Sequence, residues 1–496
     1  MQNRENIFKF DFIFLLVQLI FLIKLSNSYI VLPLDYLPKI NYKFIPKEDY
    51  TNNPQLIMKE LYFKRLITYI NIGTPSKSQM LFIDTDSTKF FLVSLNPPHQ
   101  SHKETKISEF YDFGEKLFFN ETESTSYRVE ECKERNYSDY DEVCFAKDKI
   151  LFNFGNYTKT LDFPIKILKG EDESFPGKIG LSVNSTLAYG TQNLISELKF
   201  YNLIKDYYFF FDFEKFLPIN SEIKGNLIIG DLPHNIFPEK YSKEDFVEIK
   251  TKTGTSSWTF HMKKIEVLSK LKNDIQIENT NVQLFYQIYN IIGTQEFRYE
   301  IRDLFLDKLI KEKKCFIGKF SQNLYSFENV TFYYCDINIE KILIDNLSSM
   351  KFYISSSEKP FELTKDELYF KKGNYIYFNI LFIDNQYNNW ILGQIFTSKY
   401  HMVFHTDTGR ISYYKKVNIK EEEENETNKN DIVEENGNKK IWTFIIATAF
   451  VFVILGIIIG IVIGIKFLKK RRSKRAQELV DDDYDYTSKN EDSIVN

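Results

Sequence analysis

Glycine, histidine and tryptophan are scarce in this chain, and the residue patterns of several common enzyme classes are missing. The 496 residues include 19 glycines, 6 histidines and 3 tryptophans. There is no Gly-x-Ser-x-Gly nucleophile elbow, no His-Glu-x-x-His zinc helix and no glycine-rich phosphate loop. None of the histidines stands within a motif. These absences argue against a serine hydrolase, a zinc peptidase and a nucleotide-binding enzyme, and we expect neither a metal nor a cofactor.

An excess of basic charge is also lacking. The chain has 64 Lys and Arg against 68 Asp and Glu, which gives a net charge of −4. A balanced chain does not offer the basic surface that nucleic acids require, so we expect no nucleic-acid partner. Because glycine is scarce and 16% of the residues are aromatic, the core volume must come largely from Phe, Tyr and Ile.

The cysteines are few and even in number. Cys132, Cys144, Cys315 and Cys335 all lie between the two long apolar segments of the chain. Three disulfide pairings are possible, and a zinc site is disfavoured by the spacing and by the absence of paired histidines nearby. We favour Cys132–Cys144 and Cys315–Cys335, because each bridge then closes one local loop. Each would contribute roughly 3 kcal/mol by loop entropy.

The amino terminus has the pattern of a secretory signal peptide, residues 1–28. Two basic residues precede a short apolar run, Phe12 to Ile23, and Ser26-x-Ser28 is a small-residue cleavage pattern. The apolar run is too short to span a bilayer comfortably. We therefore expect cleavage rather than anchoring.

A second apolar segment lies near the carboxyl terminus. Ile441 to Ile465 contains no charged residue and is long enough to span a bilayer. A cluster of Lys and Arg follows it, which places the tail 466–496 in the cytosol. The charged linker 417–440 should be disordered. The pattern predicts a single-pass type I membrane protein of the secretory or endolysosomal pathway or the cell surface, with a lumenal or extracellular ectodomain.

Potential N-glycosylation sites agree with that topology. All of them lie in the predicted ectodomain or its linker: Asn120, Asn136, Asn156, Asn184, Asn329, Asn346 and Asn425. A chain rich in Asn and Ser produces some of these by chance, so they support the topology weakly.

The predicted ectodomain is long enough for two lobes and reads as mainly β. Short apolar or alternating runs recur between turn signals, as in Phe209 to Phe213, Asn226 to Ile229 and Tyr375 to Phe382. Helical patterns are few, at Asn193 to Tyr201 and Glu300 to Glu312.

One polar tetrapeptide stands at the end of an apolar run. Asp84-Thr85-Asp86-Ser87 follows Met80 to Ile83, which itself follows a Gly73-Thr74-Pro75 turn. A carboxylate at the tip of a buried hairpin is costly unless it is paired or hydrogen-bonded, so the position indicates chemistry or an inherited site for it. Residues 62–94 closely resemble the first catalytic loop of pepsin-like aspartic proteases, where the loop reads Asp-Thr-Gly-Ser.

Other elements extend the resemblance across almost the whole predicted ectodomain. Phe175 to Leu181 resembles the family's Phe-Asp-Gly-Ile-Leu-Gly-Leu, and Gly225 to Asp231 resembles the strand and turn leading to the second lobe. Trp390 to Phe396 resembles the carboxyl-terminal Trp-Ile-Leu-Gly-Asp-Val-Phe. The resemblance implies a mainly β, bilobal pepsin-like fold with pseudo-two-fold symmetry, with lobes at 29–232 and 233–416.

The family hydrolyses peptides with one aspartate from each lobe, and the two share a proton. Asp84 supplies the first. The second loop is interpreted as Asn279-Thr280-Asn281-Val282, which lacks an aspartate. A literal Asp407-Thr408-Gly409 lies too close to the end of the fold and is interpreted as a hairpin turn.

The resemblance also implies roles around the two loops. Thr85 and Thr280 would hydrogen-bond across the lobes. Ser87 would bond the outer oxygen of the first carboxylate. Asp86 and Asn281 replace the loop glycines and would crowd the cleft.

Two more positions follow from the same comparison. Phe91 occupies the place of a family tryptophan under the flap. Tyr137 has suitable spacing for the flap tyrosine, although the usual Tyr-Gly-Thr-Gly is absent, and an ordinary loop tyrosine is an equally good interpretation.

The leading hypothesis is therefore a membrane-anchored pepsin-family protein that has little or no peptidase activity and binds an extended peptide or protein in its interlobe cleft. Asparagine cannot exchange a proton at useful pH, and loss of a general acid–base group typically costs about 10²–10⁴ in rate. One alternative is an active aspartic endopeptidase of lumenal or extracellular proteins, with Asp86, Asp274 or Glu278 in place of the missing group. Another is a structural or adhesion protein of the cell surface.

Overall fold

The computed structural model describes residues 29–36, 53–94, 118–134, 142–155, 157–169, 176–183, 193–214, 225–249, 251–252, 257–269, 275–321, 329–354, 359–384 and 389–418. All of these belong to one compact unit, Met1–Ile419, and a second unit, Lys420–Asn496, lies outside the described residues. So do the predicted signal peptide, spanning segment and tail, and nearly all of the predicted linker. No helix within the described ranges is long and apolar enough to cross a bilayer.

The first half of the described chain is built from strands β1 to β11. Their bounds are β1 (Ile30–Tyr36), β2 (Leu66–Ile72), β3 (Lys77–Asp84), β4 (Phe90–Val93), β5 (Arg128–Glu134), β6 (Glu142–Asn153), β7 (Thr158–Lys169), β8 (Gly177–Gly180), β9 (Tyr208–Phe213), β10 (Gly225–Ile229) and β11 (Phe246–Ile249).

The second half continues in the same manner. Its strands are β12 (Thr259–Leu268), β13 (Ile275–Leu284), β14 (Ile291–Ile292), β15 (Cys315–Ser321), β16 (Asn329–Asp336), β17 (Ser349–Ile354), β18 (Phe361–Thr364), β19 (Tyr369–Lys372), β20 (Tyr375–Phe378), β21 (Ile380–Ile383), β22 (Asn389–Leu392), β23 (Met402–His405) and β24 (Arg410–Tyr414). The prediction of a mainly β protein is confirmed.

These strands form two large sheets. The first has the order β11-β24-β23-β9-β10-β1-β2-β3-β8-β4-β7-β6-β5, so strands from both ends of the chain meet in it. The second has the order β18-β17-β12-β13-β22-β14-β21-β16-β20-β19, with β15 paired to β16. Each half contains the same unit. Across the sheet, a hairpin (β2–β3 or β12–β13) lies beside a strand that is parallel to its second arm (β8 or β22). The next strand (β4 or β14) is antiparallel to that one.

The described α-helices are short, none longer than the nine residues of the first. They are α1 (Pro54–Tyr62), α2 (Leu194–Phe200), α3 (Pro233–Ile236), α4 (Gln295–Ile301), α5 (Asp307–Lys311), α6 (Glu340–Asn346), α7 (Lys365–Leu368) and α8 (Gln394–Thr397). A π-helical turn, Arg302–Leu306, joins α4 to α5.

Capping side chains explain where two of the helices begin. Asn193 accepts hydrogen bonds from the first main-chain N–H groups of α2, so the helix predicted there is confirmed. The helix predicted from Glu300 begins earlier, at Gln295, because the side chain of Thr294 accepts a hydrogen bond from Phe297 N. The prediction missed this cap.

A hydrogen-bonding asparagine interrupts one predicted strand. The run Tyr375 to Phe382 is divided into β20 and β21 at Asn379, whose side chain is fully buried. Its Nδ2 donates to Glu367 O at 2.7 Å, and its main-chain N donates to Leu368 O at 2.9 Å. Since these bonds replace ladder pairing at that residue, the strand ends there.

Both disulfides join residues that lie directly opposite each other on antiparallel strands. Cys132–Cys144 links β5 to β6, and Cys315–Cys335 links β15 to β16. The predicted pairing is confirmed, and each bridge closes a local hairpin.

Buried aromatic rings connect the two halves of the core. Trp258 is 1% exposed, and its ring packs edge-on against Phe209 and Phe404, which stack on each other with centroids 4.8 Å apart. Its Nε1 donates to Leu181 O at 2.9 Å. A ring from the second half is therefore hydrogen-bonded to the main chain beside β8.

The structure also bears on the potential glycosylation sites. Asn329 is exposed at the start of β16, and Asn120 is partly exposed. Asn346 is largely buried at the end of α6, with 9% of the residue exposed, which argues against a glycan there; the site stays a prediction. The remaining sites, Asn136, Asn156, Asn184 and Asn425, lie outside the described residues.

Candidate active site

Asp84 is held at the carboxyl end of β3 by the neighbouring strand β8. The two strands are parallel, and Asp84 lies opposite Gly180. The main-chain N of Leu181 donates to Asp84 O at 2.7 Å. A Cβ atom on Gly180 would lie 2.4 Å from both Ser87 O and Lys89 N, so only glycine allows the loop to pack this closely. The hairpin tip is therefore fixed against β8.

Both oxygens of the Asp84 carboxylate have partners. Oδ1 accepts hydrogen bonds from the main-chain N of Asp86, at 2.9 Å, and from Nε2 of Gln287. Oδ2 forms an ion pair with Nζ of Lys178 at 2.9 Å, and the two side chains are only 17% and 22% exposed. Because this pair is largely removed from water, its attraction is screened less than that of a surface pair. A cation and two N–H donors thus surround the carboxylate.

Lys178 reaches Asp84 from the middle of β8. It lies opposite Phe82 on β3 and Phe91 on β4, and its Nζ is 5.8 Å from the centroid of the Phe91 ring. The resembling element has an aliphatic residue after its glycine, where this chain has Gly177 and then Lys178. A cation therefore replaces an aliphatic side chain beside the first catalytic position.

The second half of the fold repeats this arrangement with different side chains. β13 is parallel to β22, as β3 is to β8. The main-chain N of Phe285, just past the end of β13, donates to Leu392 O at 3.1 Å. Gly393 packs closely against the loop that follows β13. A Cβ atom on Gly393 would lie 2.2 to 2.9 Å from the main-chain oxygens of residues 288–290 in that loop. By this repeat, Phe285-Tyr286-Gln287-Ile288 is the counterpart of Asp84-Thr85-Asp86-Ser87.

Thr85 connects the two loops. Its Oγ1 donates to Gln287 Oε1 at 3.0 Å and accepts from the main-chain N of Tyr286 at 3.3 Å. The side chain is 1% exposed, so both bonds lie in the interior. This is the bridging position that the resemblance implied for Thr85.

The interpretation of Asn279 as the second catalytic position is wrong. Asn279 lies within β13, five residues before that strand ends at Leu284, which is about 16 Å of extended chain. Its φ of +53° is a left-handed conformation that asparagine tolerates better than most residues. Thr280 and Asn281 belong to the same strand, so neither lies in a cleft loop. Asn-Thr-Asn resembles the family motif, whereas the structural counterpart keeps none of its residues.

The sequence offered two other substitutes for the missing carboxyl group, Asp274 and Glu278. Asp274 lies outside the described residues. Glu278 is exposed on β13, where it lies opposite Lys264 of the neighbouring strand β12. The position equivalent to Asp84 is the phenylalanine Phe285, which carries no acid.

Asp86 is the carboxyl group nearest to Asp84 along the loop. Burial and the charge of Asp84 raise the pKa of Asp86 to about 6, and Lys178 opposes that rise. Gln283 Nε2 donates to Asp86 Oδ1 at 3.5 Å. The residue as a whole is exposed, so water weakens these effects. Asp86 is therefore protonated more readily than an ordinary aspartate, and it lies beside an ion-paired Asp84.

Hydrogen bonds connect the segment before β2 to the second loop, Phe285–Ile288. Nη1 of Arg65 donates to Gln287 O. Gln394, which is 1% exposed, donates from Nε2 to Lys64 O at 2.9 Å and to Tyr286 O at 2.8 Å. Two main-chain acceptors of the second loop, Tyr286 O and Gln287 O, therefore already accept hydrogen bonds from the protein itself.

The remaining predicted residues have other surroundings. Oγ of Ser87 accepts from the main-chain N of Lys89 at 3.2 Å, while the outer oxygen of Asp84 pairs with a lysine instead of this hydroxyl. Phe91 is buried in β4. Tyr137 belongs to the segment between β5 and β6 that lies outside the described residues. Asp407-Thr408-Gly409 forms the turn between β23 and β24, with φ of +68° at the glycine, as predicted.

Sequence reasoning missed three residues of this site. Lys178 was visible in principle, because it stands inside an element whose family pattern is aliphatic at that place. Gln287 and Gln394 gave no usable signal, since a lone glutamine has no motif. Within the described ranges, no group of three or more His, Cys, Asp or Glu side chains is placed to hold a metal ion. The chemistry at hand is that of carboxyl, amide and ammonium groups.

Comparison with known protein families gives one match. Residues 65–415 match the model of the family described as Eukaryotic aspartyl protease. The matched range covers well over half of the chain and includes Asp84, Lys178 and both loops. A search of curated proteins finds no match.

Proposed function

Because this chain belongs to the eukaryotic aspartyl protease family, we propose that it is a silent member, whose ectodomain binds an extended peptide or protein between its lobes without cleaving it. The proposal rests on one observation. Asp84 is ion-paired with Lys178 and hydrogen-bonded to Gln287, and its counterpart in the second loop is Phe285, which has no carboxyl group.

The family's chemistry requires two carboxyl groups that exchange protons. One accepts a proton from the attacking water, and the other donates one to the substrate carbonyl. The Nε2 of Gln287 only donates a hydrogen bond, and an amide does not exchange a proton at useful pH. Phe285, at the equivalent main-chain position, is apolar. Neither Gln287 nor Phe285 can therefore donate the proton that the substrate carbonyl requires.

Lys178 affects the first carboxyl group as well. A catalytic water needs the Asp84 oxygens as acceptors, and an ammonium and an amide occupy positions around them. Displacing either one would leave a largely buried partner unpaired, which is costly. The arrangement is stable as it stands and poorly suited to holding a water between two acids.

The scaffold that would present a peptide is retained. The bonds of Thr85 hold the two loops in register, and those of Gln394 fix the chain entering β2. An extended ligand in such a cleft bonds mainly through its own main chain. Because Arg65 occupies Gln287 O, a ligand must use other main-chain groups on that side.

The proposal includes a place in the cell. Disulfides persist mainly in oxidising compartments, and this chain has two of them, together with a signal-like amino terminus and an apolar segment at 441–465. We place the described unit in the lumen of the secretory or endolysosomal pathway or outside the cell, anchored by one spanning helix.

Purified protein tests the lack of catalysis. Fluorogenic peptide mixtures are incubated from pH 3 to 7 with the natural chain and with an Asp84→Ala variant of equal disulfide content. The expected result is the same background rate for both. Turnover that pepstatin inhibits and that Asp84→Ala abolishes would contradict the proposal. Retention of peptides by the natural chain, weakened by substitutions of Gln283 or Asp86, is the expected sign of binding.

The raised pKa of Asp86 favours one second candidate, an active endopeptidase. In that case Asp86, protonated near pH 6, would be the acid and Asp84 the base, both from one loop. An Asp86→Asn variant distinguishes the two functions. Loss of pepstatin-sensitive turnover in this variant supports the endopeptidase, and the absence of turnover in the natural chain excludes it.

A further inference from the structure

A cavity of about 500 Å³ lies at the opposite end of β3 from Asp84. Lys77, which begins β3, lines it, and Asp84 ends that strand, so about 23 Å of extended chain separates the cavity from the candidate active site. Its wall includes the apolar side chains of Pro75, Phe118 and Phe119. It is therefore a site separate from the cleft.

Polar groups complete the wall of this cavity. Lys77 and Glu123 both line it and form an ion pair with each other. Asn120, at the start of a potential glycosylation triplet, lines it as well. A concave site with aromatic walls and a few polar groups is the usual form of a small-ligand site. Here a residue to which a sugar can be attached is part of the wall.

The side chain of Asn120 has a fixed orientation. Its Oδ1 accepts hydrogen bonds from the main-chain N of Thr122, at 3.2 Å, and from Thr122 Oγ1, at 2.8 Å. Both bonds use the amide oxygen, so Nδ2 is not engaged by this turn. Nδ2 is the atom to which an N-linked sugar is attached, and Thr122 is the hydroxyl residue that the acceptor triplet requires.

We propose that Asn120 carries an N-linked glycan whose first N-acetylglucosamine lies in this cavity. The inference rests on the proposed secretory location. An oligosaccharide is transferred from a lipid-linked pyrophosphate donor. The bond from Nδ2 to C1 of the sugar forms and the bond from C1 to the pyrophosphate oxygen breaks. The lipid-linked pyrophosphate leaves and takes up the proton that the amide loses. When the chain folds, the attached sugar enters the cavity at whose wall its own asparagine stands.

The chemistry of the wall fits a sugar of this kind. A pyranose has an apolar C–H face, which packs against aromatic rings, and hydroxyl and acetamide groups, which bond to charged and polar side chains. Phe118 lies two residues before Asn120 and is partly exposed in the cavity wall. Glu123 and Lys77 are within the same wall for the polar edge of the sugar.

Asn329 provides a matched contrast. It is an exposed residue in a potential glycosylation triplet at the start of β16. It is not among the residues of this cavity wall. A glycan there would extend into solvent, so the two sites should differ in how easily an enzyme reaches the sugar.

The test uses the full-length chain expressed in a eukaryotic host. Glycopeptide mass spectrometry measures occupancy, and peptide N-glycosidase treatment of native and denatured protein measures the release rate at each site. We expect release from Asn120 to be roughly ten-fold slower in the native protein than in the denatured protein, the size of one aromatic stacking contact. Release from Asn329 should change little.

Variants connect the protection to the cavity. Phe118→Leu keeps apolar bulk against its buried neighbours but removes the ring, and it should lose most of the protection at Asn120, with the Tm of the deglycosylated protein measured to show that the variant is folded. Thr122→Ala should remove the glycan from Asn120 alone. Equal release rates in native and denatured protein, or protection unaffected by Phe118→Leu, would overturn the proposal.

Two further outcomes separate this proposal from the one on function. An unoccupied Asn120 beside a glycosylated Asn329 overturns the cavity proposal only. A chain without glycan at any site overturns the secretory location, and this proposal with it, but leaves the lack of catalysis untouched.

Discussion

Nζ of Lys178 lies 2.9 Å from Oδ2 of Asp84, and the two side chains come from neighbouring parallel strands. The lysine stands in an element that resembles the family pattern. The replacement of one aliphatic residue by lysine therefore places an ammonium group beside the Asp84 carboxylate. Gln287 then approaches the other oxygen of the same carboxylate from the second loop. Together these contacts give both oxygens of the Asp84 carboxylate a partner within the protein.

The ion pair itself should be measurable. Lys178→Met leaves the Asp84 carboxylate without its cation, so we expect the free energy of unfolding at pH 7 to fall by about 1–3 kcal/mol. Asp84→Asn should cost a similar amount. The double variant should recover much of the loss, because neither charge is left alone. Urea unfolding provides the values, with Lys89→Met as an exposed lysine control in the same loop. Additive losses in the double variant would contradict the pairing.

Catalysis should return only when several changes are combined. Phe285→Asp restores an acid at the counterpart of Asp84, Gln287→Gly removes the amide, and Lys178→Ile removes the cation. We expect the triple variant to cleave peptides at acidic pH at a rate at least about 10²-fold higher than that of the natural chain. A general acid–base group typically raises the rate by a factor of this size. Phe285→Asp alone should stay silent because Lys178 still holds Asp84. Asp84→Ala in the triple background is the control, and activity that survives it would refute this account.

The interlobe contact of Thr85 should contribute to stability. Thr85→Val keeps the shape but removes a donor to Gln287 Oε1 and an acceptor for Tyr286 N, both in a buried setting. We expect a loss of about 2 kcal/mol in the free energy of unfolding, since unsatisfied buried groups cost about 1–3 kcal/mol. Thr88→Val, in the same loop and only partly buried, is the matched control. Equal losses in the two variants would show that the cross-lobe bonds do not matter.

A buried histidine should make stability depend on pH. His401 is 8% exposed and lies 2.9 Å from Tyr241 OH, which also donates to Asp212 Oδ1. Burial, and to a lesser extent the charge of Lys240, lower the pKa of His401 to about 4, against the opposing effect of Asp212.

The direction of that dependence follows from proton binding. Between pH 6.5 and 4 the unfolded chain binds a proton at His401 that the folded chain does not bind, so the folded state loses stability as the pH falls through this window. The full loss is about 3 kcal/mol. Thermal unfolding from pH 7 to 4 should show a shallower fall for His401→Gln than for the natural chain. Parallel curves would exclude His401 as the cause.

Much of the fold could be predicted from local sequence. The apolar-apolar-Gly elements and the hairpin before Asp84 identified the family, because short-range turn chemistry and strand patterning are encoded by adjacent residues. The disulfide pairing followed from the same locality, and so did the turn at Gly409, which needs a positive φ. In these cases the residues that decide the structure are close in the chain.

The second loop could not be placed in that way. Asn279-Thr280-Asn281 resembles the family motif more than Phe285-Tyr286-Gln287 does, so comparison by residue type chose the wrong segment. The parallel pairing of β13 with β22, and the bond from Phe285 N to Leu392 O, fix the true position. Such a register depends on strands that are more than a hundred residues apart in the chain.

The amino-acid sequence by itself identified the family, the mainly β class, the disulfide pairs and an aspartate at the family's first catalytic position. Only the tertiary structure decided what faces that aspartate, because Lys178 and Gln287 reach it from separate strands and loops whose approach depends on packing across the two halves. An ion pair or a hydrogen bond requires atoms about 3 Å apart, and sequence patterns do not specify distances between segments that meet only on folding.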